Sequence, residues 1–108
     1  YAGAFPAWLA PSQVRILPIT DKQHDYAQKL YDKMFKLGLR VHMDDRNEKI
    51  GYKIREAQMQ KTPYMLVIGE KEVENGTVAV RRRGEGDIGA MNQDEFIAML
   101  QKEIAEKK

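Results

Sequence analysis

The sequence contains no cysteine, no long hydrophobic run and only one tryptophan. Without cysteine the chain cannot form a disulfide scaffold, a zinc finger, an iron–sulfur cluster or a thiol-based active site. No apolar stretch approaches the ~20 residues that a membrane-spanning helix needs, and no segment has the pattern of a secretory signal. No internal repeat or low-complexity segment is visible either.

The composition is that of one compact domain. Hydrophobic residues make up 43% and charged residues 31% of the 108 positions, which is typical of a soluble globular protein and not of a disordered chain. A chain of this length buries roughly two-thirds of the surface that it exposes when unfolded, enough for one core. Because the sequence opens on Tyr1 without an initiator methionine, we expect a piece of a longer protein.

The distribution of charge is more informative than its sum. The net charge is only +2, from 18 basic and 16 acidic residues, too small to indicate a nucleic-acid partner by itself. Acidic residues concentrate between Glu70 and Glu74 and in the last fifteen residues, whereas residues 46–61 and Arg81–Arg83 are rich in basic side chains. This asymmetry is compatible with one basic face.

Short apolar runs predict three strands. Residues 14–19 and 64–69 are nearly continuous apolar runs, typical of strands covered on both faces, and the second is the most apolar of the chain. Residues 39–43 alternate apolar and polar, as in a half-exposed strand. We therefore expect residues 64–69 at the centre of a sheet. Pro18 cannot donate to a ladder and is expected at an edge or near a strand end.

Helical spacing of apolar residues predicts three helices. The first begins at a cap formed by Thr20 or Asp21 and ends at Gly38. The second carries an apolar stripe between Ile50 and Ala57, and the third begins at Asn92. The side of the second helix away from its apolar stripe is expected to carry Lys53, Arg55 and Lys61.

One dipeptide predicts a hairpin. Asn75-Gly76 is the strongest short hairpin signal, and Val78 and Val80 alternate after it. The predicted order is therefore β-α-β-α-β, then an antiparallel hairpin strand, then a closing helix. Such alternation predicts an α/β fold with a mostly parallel sheet and helices on its faces.

Residues 84–89 match the spacing of a dinucleotide-binding loop but not its setting. Three glycines stand at positions 84, 86 and 89, yet only 19 residues follow Gly89, too few for the helix, strand and acidic residue that the motif requires. Glu85 and Asp87 would also repel a pyrophosphate. A turn explains this segment better than a nucleotide site.

No constellation supports catalysis. Asp44 and Asp45 could ligate a metal or form an acid–base pair, but adjacent carboxylates after a strand more often solvate a loop and cap a helix. His24 and His42 lie far from any nucleophile motif, and a surface or core role is expected for both.

Three consecutive arginines, Arg81–Arg83, allow two interpretations. Alternation along a strand sends Arg81 and Arg83 to one side and Arg82 to the other. They could be the charges that keep an exposed edge from aggregating, or guanidinium groups that meet phosphates or base edges. The residues themselves leave both interpretations open.

Four segments together resemble one family. Residues 5–11 read Phe-Pro-Ala-Trp-Leu-Ala-Pro, similar to an "FPxWLAP" junction, and residues 45–56 resemble an "LRNEKIGxKIRE" segment. Residues 63–73 and 78–81 match in order and spacing as well. Over essentially its whole length the chain resembles the C-terminal anticodon-binding domain of bacterial threonyl-tRNA synthetases, which are class II aminoacyl-tRNA synthetases.

The resemblance implies a five-stranded mixed sheet flanked by three helices, with residues 1–13 as the junction to a missing catalytic domain and residues 14–108 as the anticodon-binding domain. It implies docking of the anticodon stem-loop of threonine tRNA, read mainly at its second and third bases, G and U. The chain itself is expected to hold no catalytic site, metal or cofactor; ATP, Mg and Zn belong to the missing domain. The parent is expected to be a cytoplasmic homodimer that assembles through that domain.

The resemblance also assigns roles to residues. Base contacts fall on Asn47, Glu72 and Arg81, with Arg55 and Ile19 beside them. Contacts to the tRNA backbone fall on Lys53, Arg82 and Arg83. These types suit the roles, because a carboxylate accepts from guanine donors, amide and guanidinium groups donate to uracil carbonyls, and single-stranded loop bases expose those edges.

Two alternatives use the same fold. A free-standing module could bind a protein partner or regulate translation, but the junction-like segment around Pro6 and Trp8 favours excision from a longer chain. An enzyme of flavodoxin-like architecture would need a cofactor loop after the first strand. The loop at residues 20–22 is neither glycine-rich nor long enough to cradle a phosphate.

Overall fold

Five strands form one mixed sheet in the order β2-β1-β3-β4-β5. The computed structural model describes residues 12–44, 48–60 and 62–106. The strands are β1 (Val14–Pro18), β2 (Val41–Met43), β3 (Tyr64–Ile68), β4 (Thr77–Arg82) and β5 (Gly86–Asn92). The helices are α1 (His24–Lys36), α2 (Ile50–Met59), α3 (Glu70–Asn75) and α4 (Gln93–Glu106), and a 3₁₀ turn at Asp21–Gln23 leads into α1.

The strand directions give the sheet its mixed character. β1 pairs in parallel with both β2 and β3, whereas β4 is antiparallel to β3 and β5 is antiparallel to β4. β4 therefore runs against the other four strands. The mixed α/β fold is confirmed, β3 lies at the centre as predicted, and Pro18 is the last residue of β1.

The hairpin predicted at Asn75-Gly76 is wrong. Asn75 ends α3, and Gly76 is its left-handed C-cap at φ 68°, with an N–H that donates to the Glu72 carbonyl. Asn-Gly favours positive φ in either setting, and the charged run before it does not alternate as a strand would. The hairpin lies between β4 and β5 instead, at residues 83–85, where Gly84 has φ 85°. The described residues consequently form four α-helices, and not three.

Two apolar layers cover the sheet. The larger lies between the sheet and helices α1 and α4, and the smaller lies between the sheet and α2. Alternation along each strand divides the side chains, so that β3 sends Leu66 to the larger layer and Met65 to the smaller. The smaller layer, which we call the α2 face, is built on Leu17, Ala57 and Met65 with Ile50, Ile54 and Val67 packed against them.

The predicted start and stop of the first helical segment are confirmed. Thr20 is extended, its hydroxyl accepts from the Lys22 N–H, and the Gln23 side chain accepts from the Thr20 N–H at 2.9 Å, which completes a capping box. Gly38 follows α1 with φ 83°, a conformation that glycine adopts without steric cost. The loop between β1 and α1 is thereby fixed beside the carboxyl ends of the parallel strands.

Candidate nucleic-acid interface

The carboxyl ends of β1, β2 and β3 form one edge of the sheet, which we call the carboxyl edge. Ile19, Asp44 and Gly69 follow these strands directly. The Ile19 N–H donates to the Ile68 carbonyl at 2.9 Å and the Asp44 N–H to the Ile16 carbonyl at 2.9 Å, so strand pairing continues to this edge. In open α/β sheets, ligands bind outside the carboxyl ends of the strands.

A cleft opens at the carboxyl edge between the β1–α1 loop and α3. Its volume is about 430 Å³. Ile19, 41% exposed, supplies an apolar surface, and lysines and glutamates surround it. The lining consists of Ile19, Thr20, Lys22, Gln23, Gly69, Glu70, Lys71 and Glu72. Two predicted base contacts, Ile19 and Glu72, are therefore brought together although 53 positions separate them in the sequence.

Glu72 is held in a fixed position within this cleft. It is the third residue of α3, and its Oε1 accepts from the Gly69 N–H at 2.7 Å. That bond satisfies one of the free donors at the start of the helix. A carboxylate has further lone pairs on its two oxygens, so the half-buried Glu72 can still accept hydrogen bonds from a ligand.

Arg81 lies on the α2 face and not in the cleft. It pairs with Met65, the second residue of β3, three positions before the strand ends at Ile68. At about 3.3 Å per residue this places the Arg81 backbone roughly 10 Å below the carboxyl edge. Its Nε is buried and has no hydrogen-bond partner within the described part of the chain.

Arg15 is a second arginine on this face, and sequence reasoning missed it. It pairs with the other side of Met65, its guanidinium donates to Gln60 at the end of α2, and its buried Nε lacks a partner among the described residues. The signal was the alternation in β1, where the half-buried Arg15 stands between buried Val14 and Ile16. Two guanidinium groups thus flank one methionine.

The predicted separation of Arg82 from Arg81 is confirmed, whereas Arg83 lies in the turn after β4. Arg82 lies on the face opposite Arg81, where its Nη2 donates to Glu103 of α4 at 2.7 Å and its guanidinium stands 5.5 Å from the centre of the Tyr64 ring. A weaker ion pair joins it to Glu85 at 3.9 Å. Arg83 is half-buried after β4, and its N–H donates to the Pro63 carbonyl. Their roles at the tRNA backbone stay predictions, but Arg82 has its charge already balanced.

Tyr64 adds a hydrogen bond to the contacts between Arg82 and Glu103. The Tyr64 hydroxyl donates to the Glu103 carboxylate, and its ring meets Phe96 edge-on at 5.4 Å. Burial and the bond to Glu103 raise the pKa of Tyr64 well above its ordinary value. Burial likewise raises the pKa of Tyr26, whose hydroxyl donates to the Thr77 carbonyl at 2.7 Å.

Lys53 does not lie on an exposed side of α2, so its predicted position is wrong, and its predicted contact with the tRNA backbone stays a prediction. Its side chain is only 2% exposed, and the ammonium donates to the carbonyls of Pro18 at 3.1 Å and Asp44 at 3.0 Å. The physical reason is the place of Lys53 along the helix. Lys53 lies about one turn of the helix before Ala57 and so shares its inward side, whereas Arg55 is exposed.

The remaining predictions have different outcomes. Asn47 lies outside the described residues, as does nearly all of the segment 1–13. His42 is exposed on β2 and Asp44 is buried after it.

In the ranges that the structure describes, no group of three or more acidic, histidine or cysteine residues could hold a metal ion, and no helix is long and apolar enough to cross a membrane.

Comparison with known proteins gives a consistent result. A family model described as an anticodon binding domain matches residues 13–103. The threonine–tRNA ligase of Caldanaerobacter subterraneus subsp. tengcongensis is 59% identical over 107 residues, which is 99% of this chain and 17% of that ligase. The threonine–tRNA ligase of Clostridium novyi is 60% identical over 107 residues, with the same coverage. The chain thus spans about one-sixth of the length of these relatives.

A solved structure agrees with the fold. The RNA binding domain of threonyl-tRNA synthetase from Cryptosporidium parvum Iowa II superposes with a TM-score of 0.88 at 32% identity, over 94% of this chain and 26% of that chain. The structural similarity therefore covers nearly the whole chain.

Proposed function

This chain belongs to the anticodon binding domain family, and from that premise we propose that it docks the anticodon stem-loop of threonine tRNA. The match of the family model to residues 13–103 carries the proposal. The identity of 59% to a threonine–tRNA ligase favours threonine tRNA over other tRNAs. The parent protein would then ligate threonine to its tRNA with ATP, as a cytoplasmic homodimer whose catalytic domain holds ATP, Mg and Zn, and this chain would contribute recognition without catalysis.

In this proposal the carboxyl-edge cleft receives one anticodon base. The Glu72 carboxylate accepts from the N1 and N2 donors of guanine, and Ile19 supplies an apolar surface against the base. Loop bases can be unstacked and read on their Watson–Crick edges, which bases in a duplex cannot. The chemistry of Glu72 thus selects guanine over adenine, which offers a lone pair at N1 where guanine offers a donor.

The α2 face serves the neighbouring base and the backbone. Arg81 lies on this face with its guanidinium, and Arg55 is exposed on α2. With Asn47, these donors suit the carbonyl oxygens of uracil. Arg83 attracts phosphates, which fixes the position of the RNA without selecting its sequence, whereas the charge of Arg82 is already balanced by Glu103.

The proposal is tested by titrating the 108-residue chain with three stem-loops that share one stem. One loop carries the cognate threonine anticodon, one has the second base G changed to A, and one has only the first anticodon base changed. We expect the second-base change to cost about 1–3 kcal/mol of binding free energy, as mismatches do in specific sites. The first-base change is the control of equal charge, and we expect little effect from it.

Equal binding of all three loops would contradict base reading by this chain. The surface would then dock the backbone alone, and its affinity would fall with salt to the same extent for every loop. A preference confined to the first base would contradict the assignment of the cleft.

A further inference from the structure

The Lys53 ammonium lies at the point where β1 and β2 separate. The Asp44 N–H donates to the Ile16 carbonyl, which is the last backbone hydrogen bond between these strands in the described ranges. The next carbonyl of β1 on the same side belongs to Pro18, and it accepts from Lys53 Nζ at 3.1 Å. The same nitrogen donates to the Asp44 carbonyl at 3.0 Å. One ammonium therefore bridges the ends of two strands.

Three segments meet at this nitrogen, and each leads to a residue of the proposed site. Pro18 is followed directly by Ile19, which lines the cleft. Asp44 is three positions before Asn47, and Lys53 itself is two positions before Arg55 on α2. Three of the five proposed base contacts are thus attached, within three residues, to the atoms that Lys53 joins.

The geometry restrains these segments more than packing alone would. Both carbonyl oxygens lie within hydrogen-bond distance of a single nitrogen, so they can be no farther apart than the sum of the two bond lengths. An ammonium has three donors, and charged donors make stronger hydrogen bonds than neutral ones. Burying such a charge is unfavourable unless it is hydrogen-bonded, so the ammonium keeps its two carbonyl partners at the separation that satisfies both.

We propose that Lys53 is a positioning residue for anticodon reading: without touching RNA, its ammonium sets the separation between the end of β1, which leads to Ile19, the end of β2 at Asp44, and α2, which carries Arg55. The proposal rests on the proposed function. A phosphate contact by Lys53 would raise affinity for every RNA, whereas positioning by Lys53 affects discrimination between bases. Positioning also differs from packing, because it depends on donors and not on volume.

Two substitutions separate hydrogen bonding from packing. Lys53→Met keeps much of the length and volume of the side chain but removes all its donors. Lys53→Arg keeps the charge and the donors but is bulkier. A matched control is Lys29→Met, which removes an exposed positive charge from α1, on the other side of the sheet. Thermal unfolding of each variant shows that the fold is retained, and Lys53→Leu, which also lacks donors, replaces Lys53→Met if the methionine variant does not fold.

Each variant is titrated with the cognate stem-loop and with loops changed at the second and third anticodon bases, at several salt concentrations. We expect Lys53→Met to reduce discrimination at the third base about tenfold, the equivalent of one well-placed hydrogen bond. Its salt dependence should equal that of Lys29→Met. Lys53→Arg should recover most of the discrimination.

Three results would overturn the proposal. Unchanged discrimination in Lys53→Met would show that the ammonium positions nothing that reads a base. A flattened salt dependence, with all loops weakened equally, would indicate a phosphate contact. Better function in Lys53→Met than in Lys53→Arg would indicate packing.

A readout without RNA separates failure of this proposal from failure of the proposed function. In Lys53→Met we expect the amide signals of Ile19 and Asp44 to shift in NMR spectra and their hydrogen exchange to accelerate, while Leu66 in the core stays protected. If the wild-type chain fails to discriminate between loops, the proposed function is wrong, and the amide data still test the restraint. If the wild type discriminates and these amides do not respond to Lys53→Met, the positioning role is wrong.

Discussion

Ile19 and Gly69 are in such close contact that a methyl group on Gly69 would push against the Ile19 side chain. A methyl group on Gly69 would lie 3.0 Å from Ile19 Cδ1 and 3.1 Å from Glu72 Oε1. The two proposed base contacts of the cleft therefore converge on one glycine that joins β3 to α3. The shape of the cleft depends on a residue that makes no contact with RNA in the proposal.

We expect Gly69→Ala to weaken cognate binding and to reduce the preference for G at the second anticodon base. The backbone of Gly69, with φ −115°, is accessible to alanine, so the fold is retained and the free energy of unfolding changes by less than ~1 kcal/mol. The added methyl must displace the ends of Ile19 and Glu72 by a few tenths of an ångström. Stem-loop titration together with chemical denaturation measures both effects.

Gly51→Ala is the control for the glycine substitution. Gly51 lies in the first turn of α2, nothing stands within 4 Å of a methyl group there, and alanine favours the helix by about 0.5–1 kcal/mol. We expect higher stability and unchanged base preference. Identical RNA binding by both alanine variants would show that the cleft does not receive a base.

Glu72 accepts a hydrogen bond at the start of α3, and substitution can separate this interaction from its proposed reading of guanine. Glu72→Gln retains an oxygen that can accept from the Gly69 N–H, but it replaces the second acceptor by a donor. We expect it to lose the preference for guanine, about 1–3 kcal/mol of binding free energy, while α3 stays intact. Glu72→Ala should lose the same preference and also the capping interaction, which costs about 1 kcal/mol of stability.

Titration and urea denaturation of these two variants show whether Glu72 contacts the base or acts only through the start of α3. If Glu72→Gln keeps its preference for guanine and only Glu72→Ala loses it, Glu72 acts through the start of α3 and does not read the base. If both keep the preference, the carboxylate has no part in recognition.

Much of the fold could be predicted because most of its helices and strands are determined by signals within a few neighbouring residues. The apolar run of β3, the cap at Thr20 and the stop at Gly38 all act over a few residues. The error at Asn75-Gly76 arose because a left-handed residue fits a helix end as well as a hairpin. Only tertiary contacts decide between the two, and a single sequence does not contain them explicitly.

The site was predicted less completely, and for a different reason. The resemblance named Ile19 and Glu72, which the fold brings into one cleft. Residue type alone, however, placed Lys53 on the surface, since buried lysines are rare. Its burial depends on two carbonyls that become free where the strands part, which only the three-dimensional arrangement reveals. Arg15 was missed because an arginine between apolar residues also suits a solvated strand.

Arg82 and Arg83 are expected to respond differently to substitution. Arg82→Met removes the ion pair with Glu103 and the contact with Tyr64, and we expect it to destabilise the fold by about 0.5–1 kcal/mol, because the arginine is partly exposed. Arg83→Met should leave stability nearly unchanged and lower affinity for all stem-loops equally, with a smaller salt dependence.

Denaturation of both variants, with Glu103→Gln to complete a double-mutant cycle on Arg82, measures the coupling directly. Should Arg82→Met weaken RNA binding as strongly as Arg83→Met and leave stability unchanged, the charge of Arg82 serves the RNA and not Glu103.

Alkaline pH is expected to destabilise the domain through Tyr64. In the folded chain, burial and the bond to Glu103 raise the pKa of Tyr64 above its ordinary value of 10.0, so the folded state keeps a proton that the unfolded state releases. The contribution is fully present below about pH 10, and the free energy of unfolding falls as the pH rises above that value, because the unfolded state then binds fewer protons. Tyr64→Phe has no such proton and should show a shallower fall in urea denaturation between about pH 10 and 12.

Tyr64→Phe should also lower the free energy of unfolding at neutral pH, for a reason separate from the alkaline effect. Loss of the hydroxyl donor to Glu103 should destabilise the domain by about 0.5–1.5 kcal/mol. Tyr26→Phe is the second variant, since burial also raises the pKa of Tyr26, and each substitution should remove part of the alkaline slope. If the double variant falls as steeply as the wild type above pH 10, neither buried hydroxyl controls alkaline stability, and the hydrogen bond between Tyr64 and Glu103 does not favour the protonated phenol.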